Sequence, residues 1–158
     1  MGSFRRRLCI NKSNLEYPEF YDVAVSSSGN HDNRNYEADW GEKWQGLLEY
    51  IDNDASDGEN NYDLKKTNYD NQANQLLAKN LKGKLLLAHG NLDDNVPPYS
   101  TLLVVDALIK ENKDFDLIIF PNKRHGYGDM NNYFTRRKWD YFVKNLKGIE
   151  PPKEFEIN

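Results

Sequence analysis

The sequence predicts an α/β fold built on a parallel sheet. Three short apolar runs, at residues 21–26, 84–88 and 116–120, are too brief for helices and suit buried strands. Between and after them lie longer stretches whose apolar residues repeat at helical spacing. Strand and helix therefore alternate, the pattern of parallel strands joined by crossover helices.

Residues 1–16 (MGSFRRRLCINKSNLE) show no clear period. Tyr17-Pro18 reads as a turn leading into the first strand, and the small polar residues 27–35 as a loop. Tyr36, Trp40, Trp44 and Leu47 fall on one helical face, which reads either as a core face or as the wall of a site. Residues 52–60 form an acidic loop with a hint of a calcium-binding hand. Its glycine, however, stands at the seventh loop position rather than the sixth, and no glutamate closes the twelfth. A solvated loop is expected there, with no metal. Residues 68–81 are expected to be helical with Ala73, Leu76, Leu77 and Leu81 inward, and Gly83 ends that helix. The spacing predicts a helix over 100–112 that turns Leu102, Val105, Leu108 and Ile109 inward, starting just after Pro97-Pro98. Trp139, Phe142, Val143 and Leu146 mark a last amphipathic helix, stopped by Gly148 and Pro151-Pro152; residues 153–158 read as a loose end.

The chemistry gathers in two loops. The run Leu85-Leu86-Leu87-Ala88 leads into His89-Gly90, then Asp93-Asp94, then Pro97-Pro98. The next strand leads into Arg124-His125-Gly126. Polar loops past the ends of buried strands are where α/β proteins hold their reacting groups. An acid and a histidine, Asp93 and His125, each follow a strand, 32 residues apart. That is the order acid-then-histidine of a Ser-Asp-His hydrolase of the α/β type. In such a site the histidine takes the serine proton, while the acid fixes its tautomer and stabilises the imidazolium. Asp93 and Asp94 compete for the acid role. His89, ending a strand, is expected to make a buried hydrogen bond, and His31 has no assigned role.

HGNLDDNV followed by RHGYG, together with SSSGNHDNR and YEADWGEKWQG, resembles the prolyl oligopeptidase / dipeptidyl peptidase IV family of serine peptidases, over roughly residues 17–147. The resemblance implies a partial α/β-hydrolase fold, namely the last three parallel strands with flanking helices. It implies Asp93 as the catalytic acid and His125 as the base. It also matches Tyr36 and Trp40 to the two aromatic positions that wall the proline pocket of the dipeptidyl peptidase IV branch, and Asn95 and Val96 to positions that touch substrate nearby. That branch carries tyrosine at both aromatic positions; here the second is tryptophan. A flat apolar pocket suits a proline ring, which offers area and no N–H. The glutamates that hold a substrate amino terminus in that branch come from a propeller domain outside this chain, so dipeptidyl peptidase, endopeptidase and acylaminoacyl peptidase all stay open. The family's G-x-S-x-G-G nucleophile motif is absent from the sequence.

With 158 residues, the chain reads as part of a hydrolase domain, an irregular segment at 1–16 followed by the C-terminal part at 17–158. Permitted codons let residues 4–15, read one base later, spell Ser-Gly-Gly-Gly-Phe-Ala-Ser-Thr-Arg-Ala-Ile-Leu. That serine falls where the family spacing places its nucleophile, so the segment is expected to be a frameshifted nucleophile elbow. The chain as given is then expected to be inactive. The alternatives are a piece of an esterase-type hydrolase and a non-catalytic interaction module on the same scaffold. A net charge of −4 gives no reason to expect nucleic acid. The single cysteine, Cys9, excludes an internal disulfide and a cysteine-rich zinc site. No run approaches the roughly 18 apolar residues of a membrane span. Three arginines before three apolar residues make no signal peptide, so the compartment stays open, with an exported or periplasmic parent compatible. The expected partner is a peptide substrate, no cofactor is called for, and an unpaired first strand predicts self-association.

Overall fold

The computed structural model describes residues 12–51 and 66–157. Three strands, β1 (Val23–Ser27), β2 (Lys84–Gly90) and β3 (Asp116–Phe120), form one parallel sheet in the order β1-β2-β3. Val23 pairs with Lys84, and Leu86 with Asp116. Among the described residues, the longer α-helices beside the sheet are α1 (Ala38–Gln45), α2 (Tyr99–Lys110) and α3 (Asn131–Lys147). This is the partial α/β-hydrolase architecture that the sequence predicts.

β2 is central, and its side chains feed two cores on opposite faces. Leu85 and Leu87 join Leu15, Ala24, Ala78, Leu81, Val104 and Leu108 on the α2 side. Leu86 and Ala88 join Val25, Phe120, Tyr127 and Phe134 on the α3 side. Burial on both faces explains why β2 reads as a continuous apolar run rather than an alternating one. Each buried leucine contributes about 1.5–3 kcal/mol.

Several elements depart from the sequence reading. Residues 12–16 are helical, and Leu15 is fully buried. Residues 68–81 form two 3₁₀ segments, Asp70–Gln72 and Asn74–Asn80, instead of one α-helix. Three residues per turn rotate the inward face, so Ala73, Ala78 and Leu81 are buried while Leu76 is exposed. Tyr36 precedes α1 in extended conformation and Leu47 follows it, because Gly46 at φ +81° ends the helix. The expected stripe of Tyr36, Trp40, Trp44 and Leu47 is therefore no core face. Gly41 is the buried position, packed beside the Tyr69 ring. In α2 the inward residues are Ser100, Thr101, Val104 and Leu108, whereas Leu102 and Ile109 are exposed. In α3, Phe134 is buried, but Trp139 and Leu146 are exposed. The tail returns toward α3, where Asn132 Nδ2 donates to the Ile157 carbonyl at 3.1 Å. The calcium-like loop lies outside the described residues. No helix among the described residues is long and apolar enough to cross a membrane.

Candidate active site

The site forms where β2 and β3 end. A Cβ on Gly90 would collide with the carbonyl oxygens of Lys123 and Arg124, so only glycine lets the 121–125 loop cross there. Two main-chain bonds lock the crossing: Asn91 N–H to Phe120 O at 3.2 Å, and Leu92 N–H to Lys123 O at 3.0 Å. The Asp94–Arg124 ion pair joins the same two loops at the surface.

The crossing sets Asp93 beside His125. Asp93 is buried, and its Oδ1 accepts the main-chain N–H groups of Asn95 and Val96, each at 3.0 Å. Oδ2 lies 2.9 Å from His125 Nδ1. An ionised carboxylate only accepts, so Nδ1 carries the hydrogen, and in the neutral ring Nε2 is the basic nitrogen. Of the two adjacent acids, the first meets the histidine and the second binds arginine. This arrangement can hold an imidazole oriented to take a proton at Nε2 and to share the resulting charge with a buried carboxylate.

The His125 loop is held from below. Gly126, Tyr127 and Gly128 all have positive φ. For Tyr127, at φ +65°, that conformation costs about 1–2 kcal/mol. Its buried ring stacks on Phe120 at 4.3 Å, offsetting that cost. Its hydroxyl donates to the Ala88 carbonyl at 2.9 Å and lies 2.8 Å from Ser27 Oγ, tying the loop to the ends of β1 and β2.

A second histidine stands behind the acid. His89 Nε2 is 2.9 Å from the Val96 carbonyl and 3.3 Å from Asp93 Oδ2, and Nδ1 is 2.7 Å from Thr101 Oγ1. Burial, the largest influence, pushes His89 below the ordinary histidine range; the Val96 carbonyl and Asp93 oppose it. The buried hydrogen bond expected of His89 is present. What the apolar period could not show is that Thr101, a polar residue on an inward helix face, is its partner.

On the other side, the loop after β1 carries Tyr36. Buried Asp32 anchors that loop by accepting from the Arg34 main chain and guanidinium, and from Asn35. Arg34 reaches on to Asp70 at 2.9 Å. The Asp32 hydrogen bond, the largest influence, raises Arg34 above its ordinary range. Tyr36 Oη donates to Asn95 Oδ1 at 3.2 Å, which brings two of the sequence-matched positions together. Partial burial first, then nearby Glu37, Asp93 and Asp39, raise the Tyr36 phenol. Trp40 is half-buried on α1, edge-on to Trp44. Val96 is fully buried, so its part in the site is main-chain: its N–H serves Asp93 and its carbonyl serves His89. His31 is buried, with Nδ1 3.0 Å from Asn74 Nδ2, and its main-chain N–H donates to Ser100 Oγ at 2.9 Å. Among the described residues, no cluster of three or more His, Cys, Asp or Glu side chains could hold a metal ion.

The chain is similar to known proteins in sequence and in fold. A stretch of 61 residues is 34% identical to Dipeptidyl peptidase family member 1 of Caenorhabditis elegans, covering 39% of this chain and 8% of that protein. A Bacteroides ovatus structure assigned as a dipeptidyl aminopeptidase IV superposes with a TM-score of 0.72 at 27% identity, over 88% of this chain and 18% of that one. Porphyromonas gingivalis dipeptidyl peptidase 4 shares the fold, with a TM-score of 0.67 at 24% identity over 86% of this chain and 18% of that one. The chain thus spans less than a fifth of these structures. The family model described as the prolyl oligopeptidase family matches residues 8–148, and the chain belongs to that family of serine peptidases.

Proposed function

We propose that this chain supplies the acid and the base, Asp93 and His125, of a serine peptidase site that cleaves peptides after proline. The observation that carries the reading is the 2.9 Å bond from His125 Nδ1 to a buried carboxylate braced by two main-chain N–H groups. The contact between Tyr36 and Asn95 beside that pair supports a substrate wall formed by Tyr36, Trp40 and Asn95, while buried Val96 serves Asp93 and His89 through its main chain. An esterase-type site would need the acid and histidine without that wall.

The nucleophile is assigned to the segment preceding residue 17, which the proposal reads as a frame-shifted elbow across residues 4–15. Residues 1–11 lie outside the described residues. Asn14 supports the reading: it is fully buried, its side-chain atoms have no hydrogen-bond partner among the described residues, and the shifted frame allows isoleucine there. Sequencing the source DNA tests this directly; a plus-one frame without Ser-Gly-Gly-Gly sinks it.

On this reading the chain alone hydrolyses neither a prolyl anilide nor a short acyl ester, because an Asp–His pair without a nucleophile forms no acyl-enzyme. Labelling of Ser3 by an active-site phosphonate, abolished by His125→Ala, would refute it. In a protein carrying the whole domain, prolyl anilide turnover is expected, falling about 10⁴-fold on Asp93→Asn as the histidine tautomer is lost. Unchanged turnover in that variant would exclude Asp93 as the acid.

A further inference from the structure

We propose that His89 is a positioning residue that moderates the charge on the Asp93 carboxylate, and that Thr101 fixes the tautomer in which it does so. The inference rests on the reading of Asp93 and His125 as a catalytic pair.

His89 is the penultimate residue of β2, with no exposed surface. The two oxygens facing its Nε2, the Val96 carbonyl at 2.9 Å and Asp93 Oδ2 at 3.3 Å, only accept. Nε2 therefore carries the hydrogen and divides it between them. Nδ1 is left as an acceptor, and the Thr101 hydroxyl donates to it at 2.7 Å. Both ring nitrogens are thus committed, by partners on two different elements. A ring retained only to fill volume would need neither bond.

The consequence falls on Asp93. Its Oδ2 faces two imidazole N–H groups, one from His125 and one from His89. Val96 closes the arrangement, giving its N–H to Asp93 Oδ1 and its carbonyl to His89. Each donor spreads the carboxylate's charge and lessens what is left for the others. His89 therefore holds the carboxylate in place while weakening its grip on His125. Burial, the largest influence, lowers the His89 pKa and so favours the neutral ring, which acts on Asp93 as a dipole.

The experiment is solution NMR of the full chain with nitrogen-15-labelled imidazoles. The observable is the deshielded proton on His125 Nδ1, whose position follows the strength of its bond to Asp93. His89→Met removes the second donor and is expected to move that proton downfield. Thr101→Val leaves Nδ1 of His89 without its donor and weakens Nε2–H as a donor, so a smaller downfield shift is expected. Thr101→Ser keeps the hydroxyl and should restore the original position, which a loss of packing alone would not predict. An unmoved or upfield His125 proton in both His89→Met and Thr101→Val overturns the proposal. If His89→Met gives no dispersed amide spectrum, Thr101→Val decides alone, being nearly isosteric. Asp93→Asn separates the two readings. If the His125 proton keeps its downfield position without the carboxylate, the catalytic pair itself is wrong; if only the His89 and Thr101 variants fail to move it, the pair stands and the positioning role falls.

Discussion

Asp93 and Asn14 are both polar and both buried, and they show opposite outcomes of burial. Asp93 meets two main-chain N–H groups and two imidazoles. Asn14 meets no hydrogen-bond partner among the described residues, although it sits beside fully buried Leu15. An unsatisfied buried polar group costs about 1–3 kcal/mol. Asn14→Ile removes it and adds apolar burial, so a higher urea midpoint with an unchanged slope is expected. A lowered midpoint would show that Asn14 is satisfied in solution. His31 makes the third case. Burial, followed by nearby His89, lowers its pKa to about 3 from 6.5. Folded His31 then refuses a proton that the unfolded chain accepts below pH 6.5. Stability is fully present above that pH and is lost as pH falls from 6.5 toward 3, by about 1.4 kcal/mol per unit. Urea midpoints measured across that range should fall more gently for His31→Gln; parallel pH profiles would rule out His31 as the source.

At the scale of elements, the strands and the order of the acid and histidine loops were legible in the sequence, whereas the inward faces of the helices were legible only in part: Leu108 and Val105 face the core as expected, but Leu102 and Ile109 do not. Hydrophobicity chose Leu102 and Ile109 for the inner face of α2, yet Ser100 and Thr101 take it, because the first turn binds His31 and His89. A helix that supports a site buries polar anchors, and an apolar period cannot find them. Tyr127 was missed for a related reason, since the sequence does not show that an aromatic residue will adopt positive φ when its ring and hydroxyl are both held. Gly90 was legible as the end of a strand, but not as the gap through which the His125 loop passes. Gly90→Ala should force β2 and that loop apart, costing about 1–3 kcal/mol as overpacking. The sharper readout is the His125 Nδ1 proton, which should lose its downfield position as the histidine withdraws from Asp93. A variant that keeps that resonance would mean the loop reaches the acid without the tight crossing.

At the scale of the whole molecule, the sheet ends where a neighbour would fit. Among the described residues, β1 pairs only with β2. Lys84 N–H bonds Asp22 O at one end of the pairing, and Ser28 N–H bonds Ala88 O at the other. Parallel ladders alternate, so the main-chain groups of Val23, Val25 and Ser27 turn away from β2. The strand reads Val-Ala-Val-Ser-Ser, with no lysine, proline or inward charge of the kind that protects natural edges. Exposed Leu102, Ile109, Leu117 and Ile119 add apolar surface on α2 and on β3, the other edge strand. The isolated chain is therefore expected to self-associate, with a light-scattering mass above the 18.5 kDa of one copy. Val23→Pro separates the edge from the apolar surface. Proline is tolerated at the first residue of a strand, and there it removes only an N–H that points away from β2. If the β1 edge drives assembly, the variant keeps its fold and shifts toward the monomer. If the apolar surface drives it, the variant associates as before, and Ile119→Lys is the change that releases the monomer. A monodisperse 18.5 kDa species for the unsubstituted chain would show that neither surface is open in solution.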